Sequence, residues 1–393
     1  MHDGTKRPRR PQWNWRRGNI VVLAAAVLVV IMGFSAFTVD VGFIALTRTQ
    51  LQAASDASVL AAAQELPAAF QPGLGNGASV AVTDLARQAA VDLAGLHRAG
   101  DRDSISVAEH DLRFGQYRWV SGTSSWEKAW GATPYNLVEV TLRRTTSSGG
   151  AGGGDGPLPL FFAPVIGVET ADVSTTSAAA MMPGVGFRIV PGSGLTAGVL
   201  PIALDVQTWN ALLAGSGSDD FRYNPATKQV IPGSDGILEV NLYPTGSNVL
   251  PPGNRGTVDL GSPNNSTNDL KRQILYGLNE FDLSYFDGEL RMDGAEPLEL
   301  NGDTGISAGI KDQLETIKGQ TRAIPLFSEV SGPGNNAMYT IVKFVGIRIL
   351  DVRLTGGEKH LIVQPAPYSD PTVIPGDVEI ATDSIFTTPK LIR

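Results

Sequence analysis

The sequence predicts an α+β fold built on an N-terminal transmembrane helix that continues outward as a long second half. Three observations predict it. Six basic residues (Lys6, Arg7, Arg9, Arg10, Arg16 and Arg17) against a single acid, Asp3, precede residues 18–39, which hold 22 residues without a charge. From Asn19 to Leu66 no proline interrupts the chain. Beyond that point, short runs of β-branched and aromatic residues alternate with helical patterns between glycines and prolines, which number 45 and 25 in 393 residues.

The net charge of -8 hides an uneven division, because the first 17 residues carry +5 and the remainder about -13. A helix of 22 residues rises ~30 Å, the thickness of a bilayer's hydrocarbon core. Residues 18–39 therefore read as a span. Arg9, Arg10, Arg16 and Arg17 set its orientation, since Lys and Arg stay on the cytoplasmic side while a long C-terminal part crosses. A cleaved secretory signal competes with this reading, but its apolar region is ~7 to 15 residues and ends at a small-residue cleavage site. Here the run is longer and passes through Gly33 and Ser35 into further helical sequence. The expectation is a permanent anchor in the cytoplasmic membrane, with the C-terminal domains periplasmic or extracellular.

After Asp40 the sequence VGFIALTRTQLQAASDASVLAAAQEL contains one glycine and many small residues. Ala53, Ala57 and Ala61 recur every fourth position, and Arg48, Gln52 and Asp56 form a polar series at the same spacing. The alanine stripe invites close approach of another helix or a sheet, and suggests self-association as one use. A hydrophobic span, Asp40 at its outer end, Arg48 followed by Leu51 and Gln52, then Asp56 and alanines 61 to 63 together resemble the N-terminal segment of TadG-like proteins of the tight-adherence (Flp pilus) system. That resemblance covers about 50 residues. It implies a bitopic envelope protein, non-enzymatic, that works with pilus-assembly or pilin-like proteins in pilus assembly or adhesion. Related pseudopilins are processed after a Gly and carry Glu five positions on; Gly18 is followed at that position by Leu23, which argues against a filament subunit.

The remaining elements follow in order. SVAVTDLARQAAVDLAGLHRAG puts Val82, Leu85, Ala86, Ala89 and Leu93 at helical spacing. SISVAEHDLRFGQYRWV and NLVEVTLRR read as strands, residues 147–156 as a Gly/Ser loop, LFFAPVIG as a short helix and VETADVSTTSAAAMM as a strand. These make a pilin-like α+β module over residues 40–182, in the element order the resemblance implies. Residues 183–393 read as a second α+β domain rich in antiparallel strands. Its clearest strands are GILEVNLYP and YTIVKFVGIRILDVRLTG, and its helices STNDLKRQILYGLN and TGISAGIKDQLETIKG, the latter with Ile306, Ile310, Leu314 and Ile317 on one face.

Chemistry-bearing patterns are sparse. With no cysteine there is no thiolate cluster, disulfide or cysteine nucleophile. His2, His97, His110 and His360 are too scattered for a zinc hydrolase, and neither a P-loop nor a GxSxG elbow occurs. No catalytic residue, metal or cofactor is expected. Larger TadG-like proteins carry a metal-dependent adhesion domain, and Asp172, Ser174 and Thr176 have its Asp-x-Ser-x-Thr spacing; they lie within a predicted strand, whose alternation spreads them along one face. Asp287, Glu289, Asp293, Glu296, Glu299 and Asp303 form an acidic stretch that could hold Ca²⁺ or supply a carboxylate pair, though Asp-Gly pairs are first of all turn formers. These acids support an alternative, a membrane-anchored enzyme acting on cell wall or glycans; a glycan-binding ectodomain is a further one. The acidic exterior disfavours nucleic acid as a partner.

Overall fold

The computed structural model describes residues 20–71, 75–146, 155–243, 256–261, 266–293, 297–302, 308–332 and 336–392. The tail, with Arg9, Arg10, Arg16 and Arg17, lies outside the described residues. The protein is α+β, and its longest element is the helix α1, Ile20–Glu65. At 46 residues it extends ~70 Å without a break. Its two halves have opposite environments. The most apolar 18-residue window has a mean hydropathy of 2.8 and none of it is buried, while Leu51, Ala54, Val59, Ala62 and Ala63 farther along are sealed from solvent.

The buried half is the spine of the first module. A 3-10 turn, Leu66–Phe70, leads to α2, Gly75–Gly95, which lies against α1 through Ala86, Ala90 and Ala94. The small-residue face expected of α1 exists, but it is displaced by one position: Ala53 is exposed and Ala57 and Ala61 half-buried, whereas Ala54, Ser58 and Ala62 are buried. Leu51, Val59 and Leu66 are buried on the same side, and these larger side chains decide which face turns inward.

Against this helical layer lies an antiparallel sheet of β1 (Leu112–Val120), β2 (Ser125–Trp130) and β3 (Leu137–Arg144). The two-residue strands β4 (Leu158–Pro159) and β5 (Thr170–Ala171) frame a loop, and β6 (Val173–Ala180) then pairs with β3. Alternation points Val138, Val140, Leu142 and Arg144 of β3, and Val173, Thr175 and Ser177 of β6, toward α1. LFFAPVIG forms only one 3-10 turn, Ala163–Ile166, because Pro164 supplies no N–H and Gly167, in the left-handed region at φ 87°, ends it.

Among the described residues, the chain from Pro183 builds four sheets, of six, three, two and two strands, with two buried apolar clusters of its own. β7 (Gly184–Arg188), β8 (Leu204–Asp205), the hairpin β9 (Phe221–Asn224) with β10 (Gln229–Pro232), and β11 (Val240–Asn241) come first, with α3 (Val206–Leu213) between β8 and β9. GILEVNLYP forms a ladder only at Val240–Asn241, with a single bridge from Glu239 to Ser218, and the buried Glu239 carboxylate accepts the N–H groups of Asp220 and Phe221. α4 (Thr267–Tyr276) starts at Ser266, whose hydroxyl and the Asp269 carboxylate form a capping box. α5 (Glu280–Leu283), β12 (Glu289–Arg291) and β13 (Leu298–Gly302) follow. α6 (Lys311–Thr316), entered through a 3-10 turn, is shorter than its sequence pattern; Ile310, Leu314 and Ile317 are buried and Ile306 lies outside the described residues.

β14 (Thr321–Ser331) and β15 (Ala337–Arg353) form the longest hairpin, with β16 (His360–Pro365) on the other side of β15. The sheet order is β11-β16-β15-β14-β8, and β13 also pairs with β15. Trp209 of α3 is fully buried beneath it and donates to Asp383, which also takes Lys343. β17 (Tyr368–Asp370), β18 (Val373–Pro375) and β19 (Ile385–Thr387) carry the chain back. Phe386 packs against Phe70 with tilted rings whose centroids are 4.3 Å apart, and the last described strand, β20 (Lys390–Ile392), pairs with β6 as the fifth strand of the first sheet.

Candidate functional site

The candidate site is the face of α1 that carries the sequence pattern around Asp40 and Asp56, together with what that face holds. Near the junction of its exposed and buried halves, Asp40 is 4 % exposed on a helix whose preceding turns face outward. Its carboxylate accepts the backbone N–H groups of Phe161 (2.8 Å), Phe162 (3.0 Å) and Ala163 (2.7 Å). Those three donors open the 3-10 turn between β4 and β5. An anion at the start of a helical turn satisfies donors that the turn itself cannot, and each such bond is charge-assisted. Phe161 also packs its ring on Phe43, centroids 5.0 Å apart. Asp40 therefore clamps a loop 121 residues away in sequence to the helix.

Four turns on, α1 crosses β6 through a polar seam. Gln52 donates to Asp56 at 2.8 Å and to the Ser177 hydroxyl at 2.9 Å, and Ser177 in turn donates to Asp56. Ser55 meets Ser177 at 2.7 Å, and Thr175 donates to Ser55 at 3.3 Å. Gln52 and Asp56, four positions apart on the helix, thus link helix to sheet. Leu51 is fully buried, while Arg48 is exposed. The seam brings together hydroxyls, an amide and a carboxylate, with Lys128 and Glu139 lining the same cleft, and it joins the helix to the sheet.

Sequence reasoning missed two residues that hold the same module. Arg144 has no exposed surface; its guanidinium donates to the carbonyls of Ala99 (2.7 Å), Gly156 (2.9 Å) and Pro157 (3.2 Å) and pairs with Asp101 at 2.7 Å. Asn136, also fully buried, donates to the carbonyls of Tyr117 and Met181 and accepts from the Tyr117 N–H, bridging β1 to the end of β6. The signal for Arg144 was its place on the inward-facing register of NLVEVTLRR.

Of the other sequence candidates, the Asp-x-Ser-x-Thr triplet does not converge, whereas Asp287, Glu289 and Glu299 line one cleft together with Arg291. Ser174 and Thr176 lie on the exposed face of β6, and Asp172 accepts from the N–H and hydroxyl of Thr146. Of the acidic stretch, Glu296 and Asp303 lie outside the described residues. Glu289 is paired with Arg188 and Arg291, and Asp293 with Arg291. The Arg188 hydrogen bond holds the Glu289 carboxyl below its usual range, and Arg291 does the same for Asp293. A general acid needs the opposite shift. Among the described residues no group of three or more His, Asp or Glu is placed to hold a metal ion.

Residues 18–65 match the family model described as "Putative Flp pilus-assembly TadE/G-like". The match covers α1 almost from end to end and bears out the TadG-like resemblance of that segment. No curated protein and no solved structure gives a significant match to the chain. The helix 20–65 is long and apolar enough to cross a membrane, and the chain is connected in this way with the Flp/Tad pilus system and with single-pass membrane association.

Proposed function

We propose that the protein is a single-span anchor of an Flp/Tad-type pilus apparatus. Its N-terminus lies in the cytoplasm, and both folded modules, residues 40–182 and 183–393, stand outside the cytoplasmic membrane. It acts through protein contacts in assembly, anchoring or adhesion, without catalysis. The observation that carries this reading is the coincidence of the family match with one unbroken helix, exposed and apolar in its first half and the structural spine of the exterior in its second. Such a helix transmits position rigidly from membrane to exterior, as an assembly protein requires. Asp40, Arg48, Leu51, Gln52 and Asp56 serve this role by packing and clamping. Because Ala54 and Ala62 are covered from within, self-association would use the exposed span or the Ala53 edge.

Deleting the gene and scoring surface pili and adhesion tests the reading. Loss of both, restored by the full chain and not by a chain beginning at Asp40, is the expected result. A deletion strain with normal pili and adhesion would remove it.

A further inference from the structure

The loop that Asp40 clamps is built for a medium without water. Between Leu160 and Val168 it carries no charged side chain, and its large residues face outward: Phe161 is 64 % exposed, Ile166 79 % and Val165 88 %. Large apolar residues are exposed at scattered positions elsewhere in the folded modules, but an uncharged run of them on one short loop marks an interaction surface. Its position names the medium. The loop lies against Ile31, Met32, Phe37 and Val39 of the span, enclosing a groove with Phe162 and Val165. From Asp40 down to Ile31 the helix descends ~13 Å, most of one half of a ~30 Å hydrocarbon core.

The backbone gives an independent argument. In hydrocarbon every N–H needs a partner within the protein. Leu160 donates to Glu169, and Phe161, Phe162 and Ala163 donate to Asp40. Pro164 has no N–H; Val165 donates to Phe162, Gly167 to Pro164 and Val168 to Ala163. The N–H groups of Leu160, Phe161, Phe162, Ala163, Val165, Gly167 and Val168 thus each have an acceptor within the protein, more internal pairing than a loop exposed to water needs. The first charge after the loop is Glu169, at the level where the chain turns back to β5.

We infer that Phe161–Val168 is a second membrane element, inserted among the acyl chains of the leaflet nearest the folded modules and held against the span by Asp40. It would fix the tilt and rotation of the modules relative to the bilayer, which a lone helix cannot do. The inference rests on α1 being a span.

The absence of cysteine makes the test direct. Single cysteines at Val165, Leu28 and Ala226 in the full chain, labelled with an environment-sensitive fluorophore, are reconstituted in phosphatidylethanolamine–phosphatidylglycerol vesicles. They are then quenched with nitroxide-bearing lipids or with aqueous iodide. Leu28 reports the span and Ala226 an exposed hairpin turn. Expected is quenching by lipid at Val165 and Leu28 and by iodide at Ala226. Iodide quenching at Val165 with lipid quenching at Leu28 would overturn the inference and leave the anchor intact; protection of Val165 from both quenchers would overturn it in favour of a second copy or a partner protein covering the loop. Iodide quenching at Leu28 would instead remove the anchor and the inference together. In the Asp40→Asn and Asp40→Ala backgrounds, lipid quenching at Val165 should fall while that at Leu28 is unchanged; equal quenching in all backgrounds would remove the clamp from the inference.

Discussion

At the scale of single residues, the most consequential side chains are polar ones placed where solvent is absent. Arg144 satisfies three carbonyls and one carboxylate with a planar fork, a task that a lysine ammonium cannot reproduce. Arg144→Lys should lower unfolding stability by roughly 2 kcal/mol, and Asn136→Ala by roughly 3 kcal/mol through the bonds it strands, both measured by denaturant unfolding. Glu239 offers a titration. Burial raises its carboxyl above the ordinary range, against the opposing N–H groups of Phe221 and Asp220. The native state therefore holds this proton to higher pH than the unfolded chain, so its contribution to stability declines as pH rises from the ordinary glutamate value to the raised one. Glu239→Gln keeps one oxygen for both N–H groups and removes the charge; stability at neutral pH should be equal or greater, and the decline across that window should shrink. A steeper decline in the variant would contradict this origin. Asp40 and Asp56 were legible in the sequence as members of a pattern, but not their partners, because Phe161 and Ser177 lie more than 120 residues away and no spacing encodes such a meeting.

At the scale of elements, hydrophobic periodicity was informative wherever one face is buried. α1, α2, β3, β6 and β15 follow their patterns for that reason. The failures have physical causes. Ser125–Trp130, an edge strand, has only half-buried or exposed residues and so shows no alternation by which a sequence could mark it. Thr321–Ser331 contains a run buried on both faces, which shows no alternation, and Pro325, which the structure tolerates beside a bulged stretch of the β14–β15 ladder. LFFAPVIG has a short helix's composition but makes one 3-10 turn, since Pro164 lacks an N–H and Gly167 ends it, and the Asp40 carboxylate holds that turn, with its exposed apolar side chains, against α1. The small-residue face of α1 makes a quantitative prediction. Ala62→Leu must force α1 away from its neighbours and should destabilise by ~1 to 3 kcal/mol, whereas Ala53→Leu, on the exposed edge, should change stability by less than ~0.5 kcal/mol in thermal or denaturant melts.

At the scale of the whole molecule, the chain closes on itself. β20, the last described strand, is hydrogen-bonded to β6, and Phe386 just before it enters the core made by α1, α2 and the first sheet. Gln71, in the turn after α1, donates to the Pro365 carbonyl at 2.8 Å. The two modules thus share core and sheet, although their sequences change texture at Pro183 and suggest independence. This coupling follows from an edge problem: without β20 the flank of β6 with Ala178, Ala179 and Ala180 presents unpaired backbone, a template for association between copies. Phe386→Ala should therefore cost about 3 to 5 kcal/mol and weaken both modules in one transition. A chain ending at Pro389 keeps Phe386 and loses only the strand, so its melting should fall less while its tendency to oligomerise rises. Hydrogen exchange separates the two effects. Phe386→Ala should raise exchange in α2 and in β15 together, whereas the truncation should raise it in β6 alone; loss of protection confined to residues 183–392 in the Phe386 variant would show that the modules fold separately.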